Sequence, residues 1–225
     1  MITLYSGLVV RQALEETVIP IFEQTTGERV EATFEPTTVL LSRIADGERP
    51  DLMLGVSSSV RELADRGVLG HEGLIDIAVS AVGFARLPET APPADETAET
   101  FLDYLRAAPA VAYTLSGASG VHFMEVLRTH DLLDEIDERA VRFPAGLTAE
   151  AVVDGRATLA IQQISELRAV PGPHVVAPIP HALQSYASFA IGVRPGAPET
   201  AAAFAASLGA DDARRAFASV GLSAP

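Results

Sequence analysis

The sequence predicts an α/β fold. Short β-branched or apolar runs alternate with longer helical stretches, the alternation persists along the chain, and glycines stand where helices should stop.

The first half reads as βαβαβα. A strand over 2–5 leads to a helix over 10–26, where Leu14, Val18, Ile21 and Phe22 recur at helical spacing. Gly27 follows in the position where a left-handed cap costs least. A strand over 30–34 precedes a helix over 37–47, and a strand over 51–55 precedes a helix over 60–66 that stops at Gly67. Right-handed crossovers stack such units into one mainly parallel sheet.

An apolar strand over 77–85 then runs into a Pro-, Ala- and acid-rich stretch over 87–96, expected as a surface loop. Beyond it the pattern restarts. Helices are expected over 97–107, 119–129, 149–154, 163–168, 198–208 and 211–219, and strands over 110–113, 140–143, 158–161, 175–177 and 188–193. No internal repeat or heptad interrupts this order. The 225 residues suit two α/β units of roughly a hundred residues each. The expected division is 1–80 with 188–225, and 81–187, the chain crossing near 79–84 and returning near 185–190.

Composition narrows the chemistry. All 16 basic residues are arginine, against 30 acidic ones, for a net charge of −14. Without lysine there is no Schiff-base or phosphate-loop lysine. The acidic balance argues against nucleic acid, which needs a basic stripe, and against anionic lipid. Zero cysteines exclude thiolate nucleophiles, disulfides and cysteine metal sites. No HExxH, paired HxH or carboxylate cluster suggests a metal, so neither metal nor cofactor is expected. The 48% hydrophobic content supplies a core, and no run of 18 apolar residues predicts membrane insertion. Met1-Ile2-Thr3-Leu4-Tyr5-Ser6 reads as a strand, with no basic n-region or apolar h-region. The chain as written is therefore expected in the cytoplasm, or in the periplasm if it is a trimmed mature form.

In parallel α/β sheets ligands sit beyond the carboxyl ends of the strands. Four such loops carry hydroxyls or glycines: Tyr5-Ser6-Gly7, Pro36-Thr37-Thr38, Ser57-Ser58-Ser59 and Ser116-Gly117-Ala118-Ser119-Gly120. Each alone reads most simply as a helix cap. Four together suggest a small anion held by helix N–H groups and hydroxyls. Arg11, near the first loop, offers a bidentate carboxylate partner or a solvated charge.

Two titratable groups stand out. His122 falls in the first turn of the 119–129 helix, where the helix dipole favours a neutral ring able to act as a base; a self-satisfied, part-buried histidine is the equal alternative. Glu166 follows Gln162, Gln163 and Ser165 at a strand end, where paired long amides are unusual for a surface; its plainer reading is a helix-dipole partner. His71, His130, His174 and His181 lie at helix ends or in Pro-rich loops and suggest no chemistry.

The segments Ile2-Thr3-Leu4-Tyr5-Ser6-Gly7, Phe34-Glu35-Pro36-Thr37-Thr38-Val39-Leu40 and Pro50-Asp51-Leu52-Met53-Leu54 resemble the molybdate-type periplasmic substrate-binding proteins. Ala118-Ser119-Gly120-Val121-His122-Phe123 and Ile161-Gln162-Gln163-Ile164-Ser165-Glu166-Leu167 resemble a branch of that family that includes aconitate isomerases. The resemblance covers essentially the whole chain. It implies a two-lobed type II binding-protein fold with a ligand cleft between the lobes. It further implies that Ser6 with Thr37 or Thr38 contributes to ligand binding. The glutamine-bearing segment stands where molybdate binders offer a tyrosine-bearing loop. For that branch the implied activity is a cofactor-free 1,3-proton shift on a di- or tricarboxylate. His122 or Glu166 would be the base, and Ser6, Gly7, Arg11, Thr37, Thr38, Ser57, Ser116, Ser119, Gly120, Gln162, Gln163 and Ser165 would hold substrate. The other reading is a non-enzymatic receptor for a molybdate-like oxyanion or small carboxylate, with the permease of an ABC importer as partner.

Overall fold

In a computed structural model describing residues 1–225, nine strands follow one another: β1 (Ile2–Ser6), β2 (Val30–Phe34), β3 (Leu52–Val56), β4 (Ile75–Arg86), β5 (Val111–Thr114), β6 (Ala140–Phe143), β7 (Leu159–Gln163), β8 (Val175–Pro178) and β9 (Tyr186–Val193). The chain divides into two compact units, Met1–Ser80 with Ala187–Pro225, and Ala81–Tyr186.

In the first unit β1 lies parallel between β2 and β3, and β9 runs antiparallel to β3, with Leu52 opposite Val193 and Val56 opposite Phe189. Alternate side chains leave a strand on opposite faces. Leu4, Leu52 and Leu54 accordingly enter one core with Phe22, Phe204 and Phe217, while Tyr5 and Met53 enter another with Leu40 and Leu63. Burial on both faces explains why β3 reads as an unbroken apolar run.

Asp51 pins this sheet. Its Oδ2 accepts the N–H and hydroxyl of Thr3 at 2.9 and 3.0 Å, and its Oδ1 accepts Nη2 of Arg194 at 2.7 Å. Burial alone would raise the Asp51 pKa, but the Thr3 and Arg194 hydrogen bonds hold it below the ordinary carboxylate value.

The second unit orders its strands β8-β4-β7-β5-β6. β4 is antiparallel to both neighbours, with Gly83 opposite Gln162 on β7 and opposite Pro178 on β8, and β5 is parallel to β7 and β6. One face packs Phe84, Phe101, Tyr113, Phe123 and Leu127. The other packs small residues, Ala85, Ala112, Ala149 and Ala160, with Leu167. Gln184 supplies a ladder of its own. Its side-chain Oε1 accepts the N–H of Val82 at 2.8 Å and its Nε2 donates to the Val82 carbonyl at 2.9 Å, doing with an amide what strands do with backbone.

Several local expectations change. The sheets are mixed, because β4 and β9 pair antiparallel with their neighbours. The third helix begins at Ser57 rather than at residue 60, so Ser57, Ser58 and Ser59 form its first turn and not a loop. The expected helix over 10–26 is a 3-10 turn, a short α segment and a π turn at Leu14–Val18 ahead of the helix Ile19–Thr26. Pro20 has no N–H to return to the preceding turn, and a widened turn accommodates that loss. Helices at Leu133–Asp137 and His181–Leu183 carried no clear sequence signal. No helix is long and apolar enough to cross a membrane.

Candidate functional site

In the first unit the strand-end residues converge. Ser6, fully buried, donates its hydroxyl to the Gly7 carbonyl at 3.2 Å, and the Gly7 N–H donates to the Leu54 carbonyl at 2.9 Å. Thr37 is buried at the start of the helix Thr37–Ala45, and its Oγ1 accepts the Val56 N–H at 3.4 Å. Gly55 makes room for it, since a Cβ there would stand 3.1 Å from Thr37 Cγ2. Thr38 is exposed. Ser57 donates to Asp76 at 3.2 Å, a carboxylate that Arg61 also grips at 2.7 Å. Arg11 is half exposed, donates to Glu15 at 2.9 Å and lies over the Phe34 ring. Its charge is therefore already paired.

No side chain caps the helices that begin at Thr37, Ser57 or Ala118. The contrast is Thr97, whose hydroxyl accepts the Thr100 N–H and caps Ala98–Ala107. The turn Leu8–Val10 after Ser6-Gly7 has no side-chain cap either, so the hydroxyls of the four singled-out segments do not serve as ordinary caps, and the first N–H groups of the three helices stay free of side-chain partners.

In the second unit Gly117, at φ 92°, opens the helix Ala118–Thr129. Gly120 is there for packing: a Cβ would fall 2.0 Å from the Thr114 carbonyl oxygen. Ser119 is buried one residue earlier, and Ser116 donates to the Pro144 carbonyl at 2.6 Å. His122 is half-buried, with Nε2 2.8 Å from the Leu183 carbonyl oxygen. A carbonyl only accepts, so Nε2 carries the proton and Nδ1 is the basic nitrogen of the neutral ring.

The strand end of β7 holds the densest polar group. Gln162 is buried; its Oε1 accepts the N–H and hydroxyl of Thr148 at 2.8 and 3.0 Å, and its Nε2 donates to the Gly146 carbonyl at 2.8 Å. Gln163 and Ser165 are buried with side-chain polar atoms that meet no partner. Burial pushes the pKa of half-buried Glu166 up to about 7, although the Gln163 backbone and the Gln162 side chain pull it down.

Two contributors and one unexplained polar residue escaped the sequence reading. Thr148 and Leu183 hold Gln162 and His122, yet a threonine in a turn and a leucine near prolines announce nothing. Ser80, fully buried in β4 with an unpartnered hydroxyl, had a signal: a lone polar residue in an apolar strand. A cavity of about 570 Å³ in the second unit, lined by Phe84, Pro93, Ile179 and Tyr186 among others, contains none of the expected residues.

The family model of the bacterial extracellular solute-binding protein matches residues 2–223. An aconitate isomerase from Pseudomonas sp is 30% identical over 213 residues, 91% of this chain and 81% of that protein. The periplasmic molybdate-binding protein of Azotobacter vinelandii superposes with a TM-score of 0.81 at 16% identity, over 100% of both chains. The sulfate-binding protein SubI of Mycobacterium tuberculosis superposes with a TM-score of 0.75 at 19% identity, over 98% of this chain and 85% of that one. At these identities the two structural likenesses concern the fold alone.

Proposed function

The chain belongs to the bacterial extracellular solute-binding protein family, whose model spans residues 2–223, and from that premise we propose that it binds a small di- or tricarboxylate and isomerises it by a 1,3-proton shift. The observation that carries this reading is Glu166, a carboxyl group with its pKa raised to about 7 beside the two glutamines at the end of β7. A base works best when its pKa lies near the working pH. The 30% identity to an aconitate isomerase supports the same chemistry.

In this reaction a base takes a proton from a CH₂ group next to a carboxylate. The electron pair delocalises through the double bond, and a proton returns at its far carbon, so the formula is unchanged and no cofactor takes part. Negative charge develops on the carboxylate oxygens, where neutral donors stabilise it. In the second unit Ser119 and the uncapped N–H groups of the helix Ala118–Thr129 are such donors, and Glu166 or His122 through Nδ1 serves as base. In the first unit Thr37, whose hydroxyl accepts from Val56 and keeps its own proton free, is a donor of the same kind. Thr38, Ser6, Ser57, Ser116 and Arg11 stand second to these, because Thr38 is exposed and the other four already have partners.

Deuterium uptake from heavy water into cis- or trans-aconitate, followed by proton NMR, tests the proposal. Exchange above a protein-free control is expected, lost in either Glu166→Gln or His122→Asn according to which is the base. No exchange with wild-type protein ends the isomerase reading. A second reading, a receptor that binds without turnover and delivers to an importer in the periplasm, draws on the family description and the fold. It predicts thermal stabilisation by molybdate or a carboxylate with no exchange.

A further inference from the structure

Gln162 and Gln163 are chemically identical neighbours with opposite fates. Gln162 spends both ends of its amide on Gly146 and Thr148. Gln163, 3% exposed, spends neither: its Nε2 and its Oε1 are both buried without a partner. Turning the amide end for end changes nothing, since both atoms are bare. Two residues on, the hydroxyl of Ser165, 2% exposed, is equally unpartnered. Buried polar groups are satisfied in the great majority of cases, and leaving one bare costs about 1–3 kcal/mol. Three bare atoms within three residues are therefore a demand for something the chain itself does not supply.

The demand has a definite chemistry. An amide unpaired at both ends is complementary to a group that accepts at one point and donates at the next. A carboxylate with a hydroxyl beside it meets it, and so does a carboxyl group that has kept its proton. A fully ionised tetrahedral oxyanion only accepts. It would engage Nε2 and the Ser165 hydroxyl and leave Oε1 bare.

We infer that Gln163, with Ser165 as a second contact, selects ligands that carry a hydrogen-bond donor beside a carboxylate acceptor and rejects fully ionised oxyanions. This rests on the carboxylate reading above and says which carboxylates it admits. Gln162 is committed elsewhere: its amide positions the 146–148 turn and bears on Glu166.

Isothermal titration of the full chain with succinate, L-malate, succinamate and molybdate tests it. Malate adds a hydroxyl to succinate, and succinamate replaces one carboxylate by a permanent donor–acceptor pair that mimics a retained proton. Malate or succinamate is expected to bind about tenfold tighter than succinate or molybdate, the worth of one well-made hydrogen bond. Whichever of the two prevails identifies the source of the donor. Gln163→Met, close in volume and without either polar atom, should bring the ratios to within about twofold. If that variant unfolds, Gln163→Asn, which keeps the amide but draws it back by one methylene, should narrow the same ratios. Ser165→Ala should weaken every carboxylate alike. Equal binding of the carboxylates, or a preference that survives Gln163→Met, overturns the inference and leaves the carboxylate reading intact. Heat with molybdate and none with any carboxylate removes both.

Discussion

The amide of Gln162 holds Thr148 at two points, accepting its backbone N–H at 2.8 Å and its hydroxyl at 3.0 Å. A side chain on a strand thereby fixes a turn 14 residues earlier in the sequence. Gln162→Leu keeps most of the volume but strands the donors of Thr148 and the carbonyl of Gly146. Chemical denaturation should show a loss of about 2–4 kcal/mol. A variant as stable as wild type would mean that water readily replaces the amide.

Glu166 gives stability a sign with pH. Its folded pKa, about 7, lies above its unfolded value of 4.5. The folded state therefore favours the protonated form, full stability is present below the unfolded value, and part of it is lost as pH rises towards 7. Glu166→Gln, which cannot ionise, should melt higher than wild type at about pH 8 and show no such gain at about pH 4. Equal melting differences at both pH values would contradict the raised pKa.

Asp51 runs the opposite way. Hydrogen bonds from Thr3 and Arg194 outweigh burial and lower its pKa below 3.8. Its contribution is present above the unfolded pKa and disappears as pH falls through the folded one. Asp51→Ala leaves the Arg194 guanidinium and the Thr3 N–H without their partner, and a cost of about 2–4 kcal/mol is expected at neutral pH. Urea unfolding in acid should show the gap closing.

Gly120→Ala tests packing rather than chemistry. With a Cβ 2.0 Å from the Thr114 carbonyl oxygen, the start of the helix Ala118–Thr129 must shift. Overpacking of this kind costs about 1–3 kcal/mol, and thermal melts should show it. The same shift should weaken carboxylate binding if Ser119 touches the ligand. Unchanged stability would mean that the helix slides freely along β5.

What the sequence made legible was local. The alternation of Leu4 with Tyr5, and of Leu52 and Leu54 with Met53, states which faces are buried, and the structure distributes them between two cores accordingly. The antiparallel pairing of β4 and β9 was hidden, because the sense of a strand depends on partners more than 70 residues away. Three serines read as a loop, while Ser57 begins a helix whose place is set by Asp76. The Arg11–Glu15 pair, four residues apart on a helix, was readable in principle as a solvated face. The alternation told Gln162 from Gln163 by face, but not which face would meet the 146–148 turn. Their difference arises from the pleat, which sends adjacent side chains to opposite faces and gives only the first of them a turn to hold.

The Val82–Gln184 contact gives the second unit an adjustable part. Backbone ladders are common property of every sequence that adopts the fold, whereas this one is written in a single codon. Substitution at residue 184 can therefore retune how firmly β4 is gripped at Val82 without altering any strand, and drift at that one position offers an inherited stiffness setting that selection can reach in one step.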